Sequence, residues 1–99
     1  MSATTVTVIA EIKARPGQEA ALREVLLTLP GPTRQEAGCI NYDLHEHASE
    51  HGWFVFHENW RSKADLDRHL ATPHVTAALA KAGPLLAEPP RIHLWTRIA

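Results

Sequence analysis

Cysteine, long apolar runs and clustered basic residues are all scarce in this chain. The single Cys39 excludes an internal disulfide, which is typical of proteins in a reducing compartment. No apolar run approaches the roughly 20 residues that span a bilayer. The first residues also lack the basic start and apolar core of a signal peptide. We therefore expect a cytoplasmic protein that has no membrane partner.

An excess of charge of one sign is missing as well. Ten lysines and arginines are interspersed with eleven acidic residues, and the formal net charge is −1 with the histidines neutral. A nucleic-acid backbone requires a clustered basic face, so this composition argues against a nucleic-acid partner. The sequence has no glycine-rich phosphate loop, and we expect no nucleotide or flavin cofactor. Its 99 residues fit one domain, residues 1–99.

The spacing of apolar residues predicts four strands and two helical regions. Alternation indicates strands over residues 5–13, 40–47, 53–60 and 92–98. Leucines three and four residues apart predict a first helix from about Gln18, with a kink or short turn from Pro32 to Glu36 after the proline pair. We predict that a second helix begins with Ser62 as its cap and Asp65 as the acidic capping partner. It restarts with Thr72 as N-cap and Pro73 at the first helical position. Its predicted apolar stripe comprises Leu66, His69, Leu70, Val75, Leu79, Ala82 and Leu86.

The element order β-α-β-β-α-β is that of a ferredoxin-like α+β sandwich. The strand over residues 53–60 is apolar on both sides, because Trp53 and Val55 alternate with other aromatic residues. Ile9 and Trp95 also lie opposite the main apolar sides of their strands. Burying each such side chain contributes roughly 1.5–3 kcal/mol, and monomers rarely expose a large apolar patch. We therefore expect a two-fold homodimer in which the uncovered sheet faces pack together.

The segment from residue 36 to 74 carries the most specific pattern and six of the seven histidines. It contains AGC-x-x-Y-x-L-H from Ala37, E-x-W-x-S from Glu58 and H-x-x-T-P-H from His69. This ordered set resembles the antibiotic biosynthesis monooxygenase (ABM) family, which includes small quinol and anthrone monooxygenases. The resemblance extends more loosely from Thr5 to Ile98, and it implies the dimeric α+β barrel of that superfamily.

The resemblance implies a cofactor-independent monooxygenase that oxidises a quinol- or anthrone-type aromatic with dioxygen. In such chemistry a base removes a phenolic or activated C–H proton, and the resulting anion reduces dioxygen inside a dry pocket. Histidine suits this role because its reference pKa is about 6.5. We predict His69 as the base, since it shares the inward helix face with Leu66. His45 is the second candidate, because the Y-x-L-H motif places it near the family pocket.

The predicted substrate-binding residues are Trp60, Tyr42, Glu58, Asn41 and His74. Trp60 and Tyr42 would each line a pocket for an aromatic ring or else fill the core. Asn41 or Asn59 would donate a hydrogen bond to a developing oxyanion, although strand alternation places Asn59 on the opposite face from Trp60. His74 has either a structural or a substrate-binding role.

Glu58 lies among aromatic residues, so its carboxyl should have a raised pKa or a charged partner. The partner would be an arginine such as Arg91 or Arg97, and catalysis is the alternative. Some anthrone oxygenases of the family use an Asn-Trp-Tyr set. Here Phe56 and Leu66 occupy the positions that align with the asparagine and tyrosine, which is a departure from that pattern.

Metal and haem sites are expected to be absent. His45 and His47 form an H-x-H pair near His51, but no cysteine pair or H-E-x-x-H motif accompanies them. Haem-degrading relatives use an axial histidine on the second helix, where this chain has Leu79, and an asparagine on the first strand, which is missing here. A further alternative is a homodimer that binds a small molecule without catalysis or isomerises a lactone.

Overall fold

Four antiparallel strands form one sheet in the computed structural model, which describes residues 5–99. The strands are β1 (Val6–Lys13), β2 (Cys39–Glu46), β3 (Trp53–Trp60) and β4 (Arg91–Trp95), and their order across the sheet is β2-β3-β1-β4. The helices are α1 (Glu19–Leu26), α2 (Pro30–Arg34), α3 (Lys63–Leu70) and α4 (Pro73–Ala82). The predicted ferredoxin-like α+β architecture is confirmed, and β2 and β3 form an antiparallel hairpin.

The two faces of the sheet differ sharply in burial. On one face, side chains of the three strands β1, β2 and β3 pack under the helices and form the core. They include those of Val8, Ala10, Ile12, Tyr42, Phe54, Phe56 and Trp60. No helix of residues 5–99 packs against the other face, which we call the open face. It carries Thr7, Ile9, Asn41, His45, Trp53, Val55, His57, Asn59 and Trp95.

Strand β2 departs from the predicted alternation at its start. A β-bulge lies between Cys39 and Asn41, where pairing with β3 moves from Trp60 to Asn59. The extra residue turns Ile40 to the open face, where its side chain is exposed. The alternation predicted over residues 40–47 would place Ile40 on the same face as Tyr42. This is wrong at Ile40, because a bulge adds a residue to one strand only and shifts the period of two.

The first helical region is divided by its prolines, as predicted. Helix α1 buries Leu22 and Leu26, and the short helix α2 begins at Pro30 and not at Pro32. Proline fits this first helical position because the missing N–H would have no partner there. The division brings the chain back towards β2 and places Thr33 and Glu36 beside the sheet.

Helix α3 begins with the predicted cap. The Ser62 Oγ accepts a hydrogen bond from the Asp65 N–H at 3.2 Å, and the Ser62 hydroxyl donates to Asp65 Oδ2 at 3.0 Å. Arg61 and Arg68 also donate to this carboxylate, at 3.1 and 2.8 Å. These bonds, led by the one from Arg61, hold the pKa of Asp65 below its usual range. The Asp65 side chain lies against Gly38, whose φ of 86° closes the turn before β2.

Helix α4 begins at Pro73 with Thr72 at the N-cap position, as predicted, but the threonine side chain makes no cap hydrogen bond. The Thr72 hydroxyl donates to the His69 carbonyl at 2.7 Å and makes no cap bond to α4. The predicted apolar stripe is also only partly correct. Leu70 and Leu79 are about half exposed, whereas Ala78, which the prediction omitted, is buried.

Strand β4 pairs with β1 at the edge of the sheet and ends at Trp95, three residues before the predicted end. All five of its residues are exposed, and Trp95 on the open face is 56% exposed. The predicted homodimer would cover this surface, and it stays a prediction. Within residues 5–99, no helix is both long and apolar enough to cross a bilayer.

Candidate functional site

Trp60 and Glu58 form a buried pair at the end of β3. Both side chains point under the helices, because they are two residues apart on the strand. The Trp60 indole N–H donates to Glu58 Oε1 at 2.8 Å. Burial raises the pKa of the Glu58 carboxyl to about 7, although the bond from Trp60 acts in the opposite direction. Glu58 therefore exchanges a proton near neutral pH.

The arginine partner predicted for Glu58 is not present. Arg91 lies 3.3 Å from Glu88 and 3.9 Å from Glu11, and Arg97 donates to the carbonyl of Ala99. The other predicted alternative, a raised pKa of the Glu58 carboxyl, agrees with the structure. The carboxyl is accommodated by the indole N–H and by partial protonation at neutral pH.

His69 lies in the last turn of α3, with its ring against the aromatic core. The ring centroid is 4.6 Å from that of Trp60 and 5.4 Å from that of Tyr42. The Nδ1 atom lies 2.8 Å from Glu36 Oε2. Burial lowers the pKa of His69, and the hydrogen bond that its Nδ1–H donates to Glu36 only partly offsets this, so the imidazole is neutral at pH 7.

One carboxylate oxygen joins the two histidines of the H-x-x-T-P-H motif. Glu36 Oε2 lies 2.8 Å from His74 Nε2 as well as 2.8 Å from His69 Nδ1. In a continuous helix, residues five apart differ by about 140° around the axis and face different sides. The break at Thr72-Pro73 redirects α4, so that both rings reach the same oxygen. We call Glu36, His69 and His74 the Glu36 cluster.

Tyr42 and Thr33 extend this polar network into the core. The Tyr42 side chain makes a hydrogen bond with the Thr33 side chain, and the Thr33 hydroxyl lies 3.2 Å from His74 Nε2. Burial and the nearby Glu58 carboxyl raise the pKa of Tyr42 far above its usual value. The phenol therefore stays protonated and can serve only as a neutral hydrogen-bond donor or acceptor.

The conformation of the site is closed. Trp60 is 0% exposed and His69 is 3% exposed, so the indole touches no space that a water molecule could enter. The predicted stacking of a substrate on Trp60 would therefore require an opening movement. The more exposed residues of the Glu36 cluster are His74 and Glu36, whose side chains are 24% and 14% accessible. Any entrance to the site lies at this edge of α2 and α4.

Two predicted site residues lie on the opposite side of the sheet. The Asn41 Nδ2 donates to the His57 carbonyl at 3.2 Å, and its Oδ1 accepts from Asn59 at 2.8 Å. His45 is exposed and pairs across the hairpin with Val55. The sheet separates both from His69, because their odd positions in β2 alternate with Tyr42.

The H-x-H pair of β2 is occupied by local contacts. His47 stacks on Trp53 with ring centroids 4.6 Å apart, and its Nδ1 accepts from the Ser49 and Glu50 N–H groups at 3.1 and 2.9 Å. His51 lies 2.7 Å from Glu46, so the three histidines do not converge. The three metal-ligating side chains that do converge within residues 5–99 are those of the Glu36 cluster.

Glu36 and Thr33 are functional candidates that the sequence did not suggest. Both precede the AGC motif, in a segment predicted only as a kink or short turn. The position of Glu36 directly before the Ala37-Gly38 turn was the one available signal. Its histidine partners lie 33 and 38 residues away along the chain, so no local pattern reveals the contact.

The open face carries a concave surface. A groove of about 590 Å³ lies between the end of β4 and the starts of β1 and β2, with Thr5, Thr7, Ile40, His57, Asn59, Trp95, Thr96 and Arg97 around it. The Thr7 hydroxyl donates to Asn59 Oδ1, and Asn59 donates to Asn41, so a polar ladder crosses the floor of the groove.

The sequence model of the family described as antibiotic biosynthesis monooxygenase matches residues 5–81. The chain belongs to this family. The ABM match includes β1 to β3, the helices α1 to α3 and all of α4 except its last residue, and thus every residue of the Glu36 cluster. The family resemblance inferred from the three motifs is therefore confirmed.

Relatives of the chain carry monooxygenase names. A Mycobacterium tuberculosis protein, "Putative monooxygenase Rv0793", is 43% identical over 84 residues, which are 85% of this chain and 82% of that protein. An Escherichia coli protein, "Probable quinol monooxygenase YgiN", is 38% identical in an alignment that covers 72% of this chain and 78% of that protein. The chain also matches an uncharacterized Synechocystis protein at 34% identity but spans only 61% of its length.

Solved structures have the same fold. The structure of Rv0793 superposes with a TM-score of 0.91 at 38% identity and covers 97% of each chain. That of PA3566 from Pseudomonas aeruginosa gives a TM-score of 0.93 at 37% identity, over 100% of this chain and 99% of the other. The ABM fold thus extends to β4, beyond the residues that the family's sequence model matches.

Proposed function

We propose that this protein is a cofactor-independent monooxygenase that oxidises a quinol- or anthrone-type aromatic with dioxygen. Membership of the ABM family supports a monooxygenase-like function. The observation that carries the proposal is the neutral, buried His69, held by Glu36 against the rings of Trp60 and Tyr42. An aromatic substrate that replaced part of this ring packing would lie within reach of a base in a site without bulk water.

The hydrogen bond to Glu36 defines which nitrogen acts as the base. An ionised carboxylate only accepts hydrogen bonds, so the Nδ1 atom of His69 carries the proton. Its Nε2 atom therefore holds the free lone pair and takes the substrate proton. The carboxylate also stabilises the imidazolium that forms. Glu36 is thus a positioning residue for His69.

For an anthrone-type substrate the reaction balances without an added reductant. His69 takes one proton of the activated methylene, and the carbanion transfers electrons to dioxygen to form a C–O bond. The imidazolium returns its proton to the peroxide. Loss of the second methylene proton then breaks the O–O bond, leaving a carbonyl and one water. Tyr42, which stays protonated, and Glu58, with a pKa of about 7, supply donors for the developing oxyanion.

The proposed substrate site lies under the helices, with its entrance at Glu36 and His74. His74 contacts the substrate at that entrance, and Trp60 stacks on it after the opening movement. Asn41 and His45 have no catalytic role in this proposal, because the sheet lies between them and His69.

The test is oxidation of a panel of reduced naphthoquinols and anthrones by the purified protein, followed by product absorbance and oxygen uptake. His69→Gln should lower the rate by about 10²–10⁴-fold, since it removes the base. The matched control is His45→Gln, which removes an exposed histidine on the opposite face and should keep the wild-type rate. Rates for the wild type no faster than autoxidation across the panel would exclude the proposal.

We also propose a homodimer formed by the open faces. Trp95 is 56% exposed there, and Ile9, Trp53 and Val55 are only half buried. Sedimentation equilibrium should give twice the 11.0 kDa mass of the chain. Val55→Asp should shift the protein to monomer, because a charge at the centre of the face would be buried without a partner. A wild-type monomer at micromolar concentration would contradict the dimer.

Binding without catalysis is the second candidate, and the closed conformation favours it. Trp60 has no accessible surface, so the base has no open path to a substrate. A small molecule could instead occupy the groove of the open face. A ligand that raises the melting temperature with no oxygen uptake would support this candidate, whereas turnover of any aromatic substrate would exclude it.

A further inference from the structure

The Glu36 cluster has the composition and arrangement of a metal-ligand set. We propose that Glu36, His69 and His74 bind one divalent transition-metal ion of the Zn²⁺ class, and that the bound ion prevents His69 from acting as a base. The first part goes beyond the proposed function and stands without it, whereas the second part rests on it.

The geometry of the cluster is close to that of a coordination sphere. Glu36 Oε2 lies 2.8 Å from both His69 Nδ1 and His74 Nε2, and the three ligand atoms are all within 4.8 Å of one another. Metal bonds of about 2.1 Å separate neighbouring ligand atoms by about 3.0–3.4 Å. Each imidazole nitrogen would therefore move away from Glu36 Oε2 by a few tenths of an ångström to admit an ion in place of the shared protons.

The chemistry of the donors selects the class of ion. Two imidazoles and one carboxylate suit Zn²⁺ and the neighbouring first-row divalent ions, and they do not suit Ca²⁺ or Mg²⁺, which require oxygen donors. Each imidazole would bind the ion through an unprotonated ring nitrogen, so binding of the ion releases a proton from the cluster.

The position of the cluster permits access. The side chains of His74 and Glu36 are 24% and 14% accessible, so an ion can reach the carboxylate and the first imidazole from solvent. His69 closes the site from the inside and is 3% accessible. Two ligands come from neighbouring helices and one from the segment after α2, so the bound ion would also tie α2 to the α3–α4 junction.

Binding of the ion to His69 has a direct consequence for the proposed base. A neutral imidazole carries one N–H proton. When the metal occupies Nδ1, that proton resides on Nε2, and the lone pair that would accept the substrate proton is lost. The ion would therefore inhibit the oxidation and not assist it.

The experiment begins with chelator-treated full-length protein and measures Zn²⁺ binding by calorimetry. Co²⁺ serves as a second probe, because its visible absorption reports the ligand geometry. We expect one ion per chain. Glu36→Gln and His74→Gln should each weaken Zn²⁺ binding at least tenfold. Even the loss of a residue that only hydrogen-bonds to a metal ligand lowers metal affinity by about that factor, and these two residues are themselves ligands. The double variant His45→Gln/His47→Gln removes the exposed H-x-H pair and should bind as the wild type does.

A measurement on the wild type covers the case in which a variant fails to fold. Zn²⁺ should shift the ring nitrogen resonances of His69 and His74 and leave those of the other five histidines in place. Shifts at His45, His47 or His51, or loss of binding in the double variant, would assign the ion to the surface and overturn the proposal. Absence of saturable binding would overturn it as well.

These outcomes are separable from those of the proposed function. Quinol or anthrone oxidation by metal-free protein tests the base and says nothing of the ion, whereas calorimetry tests the ion without turnover. If both hold, saturating Zn²⁺ abolishes the oxidation, and a chelator restores it. Full oxidation with Zn²⁺ bound would refute the inhibition alone.

Discussion

Replacement of Glu58 by glutamine should change how the stability of the fold depends on pH. The substitution keeps the size of the side chain and an oxygen that can accept from the Trp60 indole, but it removes the titrating proton. In the unfolded chain this carboxyl has a pKa near 4.5, and in the folded protein burial raises the pKa to about 7. As pH rises, the unfolded state therefore releases this proton at a lower pH than the folded state does.

The sign and size of the effect follow from proton linkage. Below about pH 4.5 both states carry the proton, and the protonated carboxyl gives its full contribution to stability. As pH rises towards 7 the unfolded state gains stability by ionising, so the free energy of unfolding falls. The interval from 4.5 to about 7, at 1.36 kcal/mol for each pH unit, corresponds to roughly 3 kcal/mol. The free energy of unfolding of Glu58→Gln would not fall by this amount, because glutamine does not ionise.

The assay is guanidinium unfolding of both proteins between about pH 4 and pH 8, at one fixed protomer concentration because of the proposed dimer. The difference between variant and wild type should move by roughly 3 kcal/mol in favour of Glu58→Gln as pH rises. His69 has a lowered pKa and acts in the opposite direction below pH 6.5, but it is common to both proteins and cancels. Glu24→Gln, on the exposed side of α1, controls for simple charge removal. A pH-independent difference, or one of the opposite sign, would refute the burial of Glu58.

Other predictions concern the turns and caps that hold the site. Gly38→Ala should destabilise the protein by about 2–4 kcal/mol in a thermal or denaturant melt, because the new Cβ would overlap the fixed Asp65 side chain at a positive φ. Gly17→Ala has a similar φ but open space around it and should cost about 1 kcal/mol, so equal losses would contradict the steric argument. Ser62→Ala should cost about 1 kcal/mol through loss of the α3 cap, and no change in the melt would show that Asp65 suffices.

The sequence predicted the fold well because the fold depends on local periods. Alternation along β1 and β3 and the Ser62 cap are properties of neighbouring residues, and each was found where predicted. The direction of the side chain at the start of β2 was not predicted, because residue composition does not indicate the bulge at Ile40. The half-exposed Leu79 shows a second limit, since helical spacing identifies an apolar stripe but not how far the sheet beneath it extends.

The site was predicted less completely because its contacts are not local. The motifs identified His69, Trp60 and Glu58, which do lie together. They did not identify Glu36, because its position beside both histidines depends on the path of α2 and on the break before Pro73. His45 was included on the strength of its motif, although strand alternation already placed it on the opposite face from Tyr42.

Strand β3 has a consequence for how the protein can diverge. Its even-numbered residues, from Phe54 to Trp60, belong to the interior of one chain, and its odd-numbered residues, from Trp53 to Asn59, belong to the outside. Mutations in the two sets are therefore nearly independent. A descendant could exchange Val55 or His57 for residues that suit a new neighbour while its inner chemistry is inherited unchanged. The eight residues of β3 can thus change as two separate sets.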